Sequence, residues 1–374
     1  MSVVLLDVEI LRKAPCGLAE VCQRLGRALL EQAEPDIGLM FLVHPQYRHY
    51  LGAPCVSTLR PRRWLKRKYL RAIGPLVSRW APFPPYSLWH ATNQNCRYLP
   101  LRNDVPVVLT LHDLNFLYAG KSSQRIARET RRLQQRVDRA TAIATGSHFA
   151  AREIAQHLDL KGKPVHVIYH GRPPAATEPD EAPDLPLRRP FLFSIGQFRS
   201  TKNFHVLVEL MHHLPDRQLV LAGDSSSDYG GKVRSEIERR GLHDRVFLPG
   251  EISDANRQWL YRHCEAFVFP SGAEGFGLPV LEAMDMGRPV FLNRATSLPE
   301  VGGSLAFYWD SLRPDDMARA FRDGMASFHR DPDYGAKLRR HAESFSWSKA
   351  ARQYLDLYRR VLAESGRGHR RKAA

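Results

Sequence analysis

Short apolar runs alternate with helical patterns along most of the chain. VVLLDV (3–8), IGLMFLV (37–43), SLWHAT (87–92), VPVVLTLHD (105–113), TAIATGS (141–147) and VHVIYHG (165–171) are continuous enough in apolar and β-branched residues to predict buried strands. Between them, Leu18–Gln32 and Ser123–Arg139 carry apolar residues at helical spacing. That alternation predicts a mostly parallel sheet covered on both faces. The stretch PPAATEPDEAPDLPLRRP (173–190) breaks the pattern and predicts a proline-rich hinge. The alternation then resumes with FLFSIG (191–196), QLVLAG (218–223), RVFLPG (245–250), AFVFPS (266–271) and RPVFLN (288–293). We therefore expect two Rossmann-like α/β domains, 1–172 and 191–345, with ligands bound beyond the carboxyl ends of their strands. The cleft between two such domains is the natural site. In the tail, Trp347, Ala351, Tyr354, Leu355, Tyr358 and Val361 have helical spacing, which predicts a helix within 346–374 that crosses back to the first domain. The final GRGHRRKAA reads as disordered.

Charge changes this picture more than composition does. The net charge is +16, and the excess lies before residue 186 and after residue 345. No acidic residue occurs between Asp36 and Asp104. A field that one-sided predicts an anionic partner for part of the molecule. The N-terminus, MSVVLLDVEI, reads as a first strand rather than a secretory leader, and no apolar run is long enough to span a bilayer. Five scattered cysteines without a C-x-x-C pair argue against a disulfide framework or a zinc site, so a cytoplasmic location is expected.

Two strand ends in the second half carry candidate chemistry. FLFSIG is followed by QFRSTKN, where Gly196 permits a tight turn and Arg199 and Lys202 are expected at the start of a helix over Asn203–His213. A helix N-terminus beside a cation suits an anion; a solvated loop with two surface cations would look the same. AFVFPS is followed by GAEGFGLPVLEAM, in which a helix is expected to start near Leu278–Pro279. The amides of Gly275, Phe276 and Gly277 would then precede a helix dipole, with Glu282 about one turn in and Glu274 just before the loop. Amide N–H groups suit phosphate or hydroxyl oxygens, and a carboxylate suits vicinal hydroxyls.

Glu274 and Glu282 with GFGLP between them resemble the retaining GT-B glycosyltransferases of the large family 4. The resemblance covers roughly 190–362, through SIGQFRSTKN, LVLAGD and RVFLPGEIS to FSW, and extends more loosely to VVLTLHDLNF in the first half. It implies a donor site in the second domain and an acceptor site in the first. Glu274 would contact the donor sugar, Glu282 the ribose hydroxyls, and Gly275, Phe276, Gly277 and Leu278 the sugar and phosphate oxygens. Lys202 resembles the lysine that neutralises the pyrophosphate. The arginine that often precedes it is replaced by Thr201, leaving Arg199 as the nearest substitute. His112 resembles the family histidine near the donor sugar. Gly17 stands alone where relatives often carry two glycines before the first helix. Retention of configuration without a required metal or cofactor is also implied. The lone Asp-x-Asp, Asp331-Pro332-Asp333, lies outside the strand-end loops.

LRPRRWLKRKYLRAIGPLVSRW (59–80) places Arg63, Trp64, Lys66, Arg67, Lys68 and Arg71 around an apolar helical stripe. That pattern fits an interfacial helix on an anionic membrane or a helix packed on its own domain. The expected partners are a nucleotide-sugar donor, an anionic glycolipid or oligosaccharide acceptor, and the inner face of the cytoplasmic membrane. The HATN…LHDLNF region resembles that of mannosyltransferases, and this resemblance favours GDP-mannose as donor, with UDP-sugars open; mannose or glucose would pass to a lipid-linked or lipopolysaccharide-core acceptor. Three alternatives compete. A nucleotide-sugar epimerase would use the same fold, and a nucleic-acid-binding protein would leave the glutamate loop unexplained. An oxidoreductase would need a G-x-G-x-x-G after a strand, which the chain lacks.

Overall fold

The computed structural model describes residues 1–14, 16–52, 57–59, 86–100, 102–173 and 179–373. The chain divides into two units. The first comprises 1–114, 122–171 and 346–374, and the second 115–121 and 172–345.

In the first unit the parallel strands are β1 (Ser2–Asp7), β2 (Ile37–Leu42), β3 (Ser57–Leu59), β4 (Leu88–Ala91), β5 (Val107–Thr110), β6 (Ala142–Thr145) and β7 (Val165–Val167). They lie in the order β3-β2-β1-β4-β5-β6-β7, all parallel. Helices α1 (Gly17–Gln32), α2 (Ser123–Arg139) and α3 (His148–His157) supply the crossovers. The apolar runs are continuous because both sheet faces are covered: Val4, Leu5, Leu6, Val107, Val108 and Leu109 are all fully buried.

The second unit repeats the design with β8 (Phe191–Ile195), β9 (Gln218–Ala222), β10 (Val246–Gly250), β11 (Ala266–Phe269), β12 (Val290–Asn293) and β13 (Phe307–Trp309), ordered β10-β9-β8-β11-β12-β13. Its helices are α4 (Phe204–Leu210), α5 (Asp228–Arg239), α6 (Asp254–His263), α7 (Leu278–Asp285), α8 (Leu298–Gly302), α9 (Pro314–Arg330) and α10 (Tyr334–Glu343). In each sheet the order reverses beside the unit's first strand, between β1 and β4 and between β8 and β11. Open α/β sheets bind ligands at such switch points.

The described part of the expected hinge, 179–190, is fastened to the second unit. Glu181 N–H donates to Ala255 O at 3.3 Å, Asn256 Nδ2 to Glu181 O at 3.0 Å, and Arg188 N–H to Gln218 Oε1 at 2.8 Å.

The tail helix α11 (Trp347–Ala373) belongs to the first unit, where it packs on α1. Its helical backbone continues through the glycines at 366 and 368, where the sequence led us to expect disorder. Ala351, Tyr354, Leu355, Tyr358 and Val361 enter the same core cluster as β1 and β2. Two of these insert hydroxyls, and buried hydroxyls need partners. Tyr358 OH bonds His90 Nδ1 at 2.7 Å, His90 Nε2 bonds Thr110 Oγ1 at 2.8 Å, and Tyr354 OH meets the same threonine at 3.0 Å.

Candidate active site

In the second unit, the ends of β8 and β9 approach closely. Gly223 has φ 128°, and a Cβ there would lie 2.1 Å from Gly196 O, so the position admits only glycine. After Gly196 a single 3-10 turn, Ser200–Lys202, leads into Asn203, the N-cap of the helix expected to start there. Asn203 is left-handed, with φ 54°, and its Nδ2 donates to Pro270 O at 3.1 Å, which ties the turn to the end of β11. The helix that follows, Phe204–Leu210, has Asn203 as its N-cap, so Lys202 directly precedes its start and Arg199 caps the 3-10 turn before it. The Lys202 ammonium bonds the Glu274 carboxylate and lies 4.9 Å from the Phe269 ring centroid. Arg199 is exposed, and its side chain makes no hydrogen bond or ion pair among the described residues.

The glutamate loop follows β11 and is held from β12's side. Ser297 Oγ is shared between Glu274 O at 3.0 Å and Phe276 O at 2.9 Å, while Glu274 N–H donates to Thr296 Oγ1 at 3.1 Å. Thr296 has φ 54°, an uncommon conformation for a β-branched residue. Such strain persists only where its surroundings enforce it. Phe276 is buried edge-on against Phe345, with centroids 5.9 Å apart. Gly277, at φ 112°, caps α7, and Pro279 occupies its first turn as expected. Leu278 opens the helix; Pro279 has no N–H and Val280 N–H donates to Gly277 O at 3.0 Å, so the Leu278 N–H is the first-turn donor that points out of the helix.

Glu282 is 7% exposed on α7, and its carboxylate lies 3.6 Å from Arg257 Nη1. Arg257, on α6, also pairs with Asp254 at 3.0 Å. Each carboxylate of the motif thus has its own cation: Lys202 for Glu274 and Arg257 for Glu282. Sequence reasoning missed Arg257, Thr296 and Ser297. Nothing in ANRQW or RATSLPE marks a residue that reaches a loop some 20 positions away.

His112 and Gly17 belong to the first unit. His112 follows β5 and is 6% exposed. Its Nε2 lies 2.9 Å from Thr92 O and its N–H donates to Gln94 Oε1 at 3.1 Å. A carbonyl can only accept, so Nε2 carries the proton and Nδ1 the lone pair. Burial pulls the imidazole's pKa below the usual histidine range, so it is neutral at pH 7. Its ring sits 5.4 Å from that of His170, which stacks on Trp347 at 5.6 Å. Gly17 is the first residue of α1; a Cβ there would meet nothing within 4 Å, so the protein itself imposes no need for glycine. Arg63, Trp64, Lys66, Arg67, Lys68 and Arg71 lie outside the described residues.

Two parallel sheets that repeat one strand order, with a carboxylate-bearing loop at the switch point of the second, fit the GT-B class of sugar-transferring enzymes. The sequence matches the family model described as glycosyltransferase family 4 over residues 16–175 and that described as glycosyl transferases group 1 over 177–344. The chain belongs to this glycosyltransferase family. It is 27% identical over 304 residues to O-antigen chain mannosyltransferase B of Escherichia coli, covering 77% of this chain and 78% of that one. It is 29% identical over 301 residues to the lipopolysaccharide core biosynthesis mannosyltransferase LpsB of Rhizobium meliloti, covering 74% and 80% respectively. In fold it is similar to Anabaena HepE, solved with UDP and glucose, with a TM-score of 0.67 at 17% identity over 96% of this chain and 99% of that one.

Proposed function

We propose that this glycosyltransferase moves mannose from a nucleoside diphosphate sugar, GDP-mannose before a UDP-sugar, to a lipid-linked or lipopolysaccharide-core acceptor, with retention of configuration and without a metal. The observation that carries the donor site is the pairing of Glu274 with Lys202 and of Glu282 with Arg257 at the β8/β11 switch point. The mannosyl preference is supported by the mannosyltransferases among its relatives.

Departure of a nucleoside diphosphate builds negative charge on phosphate oxygens. In this reading Lys202 exchanges Glu274 for the pyrophosphate, and Arg199 and the amides of Gly277 and Leu278 add to the neutralisation. Gly196, Gly275, Phe276 and Gly17 complete the donor-contacting set. The released Glu274 carboxylate turns to the hydroxyls of the donor sugar. Arg257, 3.6 Å from Glu282, orients that carboxylate for the ribose hydroxyls. His112, neutral and with its tautomer set by Thr92 O, presents Nδ1 as an acceptor for a sugar hydroxyl. The acceptor hydroxyl attacks C1 on the face that the diphosphate leaves, and its proton passes to the departing phosphate. Arg63, Trp64, Lys66, Arg67, Lys68 and Arg71 would hold the chain to the inner face of the cytoplasmic membrane.

Thermal melting with GDP, UDP and ADP, each with and without magnesium, tests the donor site, because a ligand that binds the folded state raises Tm by mass action. GDP is expected to raise Tm without magnesium, and NMR of the product from GDP-mannose is expected to show an α-linkage. An inverted product, or a shift that requires the metal, would overturn the respective part.

A further inference from the structure

A pocket of about 250 Å³ lies in the first unit, walled by residues that follow the carboxyl ends of β1 and β4. This is the switch point of that sheet. Glu9, Arg12 and Lys13 come from the turn after β1, Asn93 and Arg97 from the loop after β4, and Arg132 from α2. Four cations therefore face one carboxylate. Arg12 lies 3.9 Å from Glu9, and Arg132 lies 3.5 Å from Glu129 on its own helix. Burial raises the pKa of the Glu9 carboxyl, and Arg12 and Arg97 both act on it to pull that pKa back down. Neither the Lys13 nor the Arg97 side chain makes a hydrogen bond or close ion pair among the described residues. Glu9 and Glu129 do not balance four cations, and an anion relieves the repulsion that the excess positive charge leaves.

The wall is built before any ligand arrives. Asn93 is 1% exposed, with its carbonyl accepting from Cys96 N–H at 3.2 Å and its Oδ1 from Asn95 N–H at 2.9 Å. Thr92 Oγ1 donates to Asp7 O at 2.5 Å, and the buried Arg136 guanidinium bonds Cys96 O. The loop that presents Arg97 is thus fixed to β1 on one side and to α2 on the other. Preorganised donors lose little freedom on binding. The volume is below the roughly 300–1,000 Å³ of sites that engulf a whole drug-sized ligand; it suits one charged substituent and the sugar that carries it.

We infer that this pocket is an acceptor subsite that reads an oxyanion, a phosphate or carboxylate borne by the acceptor glycan. The inference rests on the acceptor reading proposed above and adds a recognition element distinct from the basic stretch at 59–80. Equilibrium dialysis of radiolabelled inorganic phosphate against the full chain at low salt provides a test independent of catalysis. Binding is expected to weaken with added salt, to weaken about tenfold in the double variant Arg97→Ala/Arg132→Ala, and to persist in Arg97→Lys/Arg132→Lys and in Lys202→Ala. Uptake that Lys202→Ala abolishes while the double alanine variant leaves it unchanged would overturn the proposal.

In transfer assays, methyl mannoside is compared with its 6-phosphate and with the corresponding uronic acid. The charged acceptors are expected to have the higher kcat/KM, and the double alanine variant to shrink that preference about tenfold. The better of the two identifies the oxyanion. No preference in the wild-type enzyme would overturn the proposal while leaving the glycosyltransfer reading intact. Phosphate uptake dependent on Arg97 and Arg132, in a protein that transfers no mannose, would do the reverse.

Discussion

Asp7 ends β1 fully buried, with Oδ1 accepting from Glu9 N–H at 3.1 Å and Oδ2 left without a partner. Burial pushes its carboxyl up to about 7, and the nearby Glu9 adds to the effect. An unfolded Asp releases its proton near pH 3.8, so between that pH and about 7 the unfolded chain binds fewer protons than the native one. Stability contributed by this group therefore falls as pH rises through that window and levels off above it. Asp7→Asn keeps the acceptor for Glu9 and removes the titration. Chemical denaturation from pH 4.5 to 8 is expected to show the variant gaining on the wild type as pH rises, by at most about 4 kcal/mol. Comparing the two isolates Asp7, because the buried histidines titrate in both. At the same scale, Glu282→Ala is expected to raise the donor KM about tenfold or more with a smaller change in kcat. His112→Ala is expected to lower kcat about 100-fold while donor KM stays within a few-fold. Steady-state kinetics with varied donor checks the division, and an equal rise in KM for both variants would refute it.

Among the elements, the tail helix is joined to the sheet through a chain of side-chain hydrogen bonds rather than by apolar contact alone. Tyr358→Phe keeps the packing and strands His90 Nδ1, in a site whose burial already holds that imidazole neutral, its pKa pulled down to about 3. A loss of about 1–3 kcal/mol is expected, read from urea midpoints; an unchanged midpoint would assign α11's attachment to apolar contact alone. The pattern of elements was largely legible in the sequence because strands buried on both faces are written as continuous apolar runs. Proline and glycine likewise marked where α7 begins. β13 escaped because three residues, Phe307–Trp309, are too few to set a period, although Trp309 is almost fully buried. The helix expected at Asn203–His213 starts one residue later, because Asn203 turns left-handed at its N-cap and bonds Pro270 O, a tertiary tie that local spacing does not record, and it ends at Leu210. The candidate site divides the same way. GFGLP and its two glutamates were readable as a local motif, while Arg257 and the Ser297–Thr296 clasp arise only when distant loops meet.

For the whole molecule, the positive excess avoids the unit that carries the glutamate motif: residues 186–345 hold equal numbers of each sign. No described helix is long and apolar enough to cross a membrane. Attraction of the basic first half to an anionic surface would be electrostatic and screened by salt. Flotation with vesicles containing anionic phospholipid is expected to carry the protein at low salt, to release it near 0.5 M salt, and to fail with neutral vesicles. Recovery with neither vesicle type would refute the membrane assignment. The chain's path between its units carries a further consequence. The second unit is nearly continuous in sequence, whereas the first needs residues 346–374 to finish its core. During synthesis the second unit can therefore close while the first still lacks a wall, with the apolar faces of α1 and β1 open to solvent. For that interval the nascent chain would present an unfinished sheet to chaperones, and translation of the tail ends the exposure.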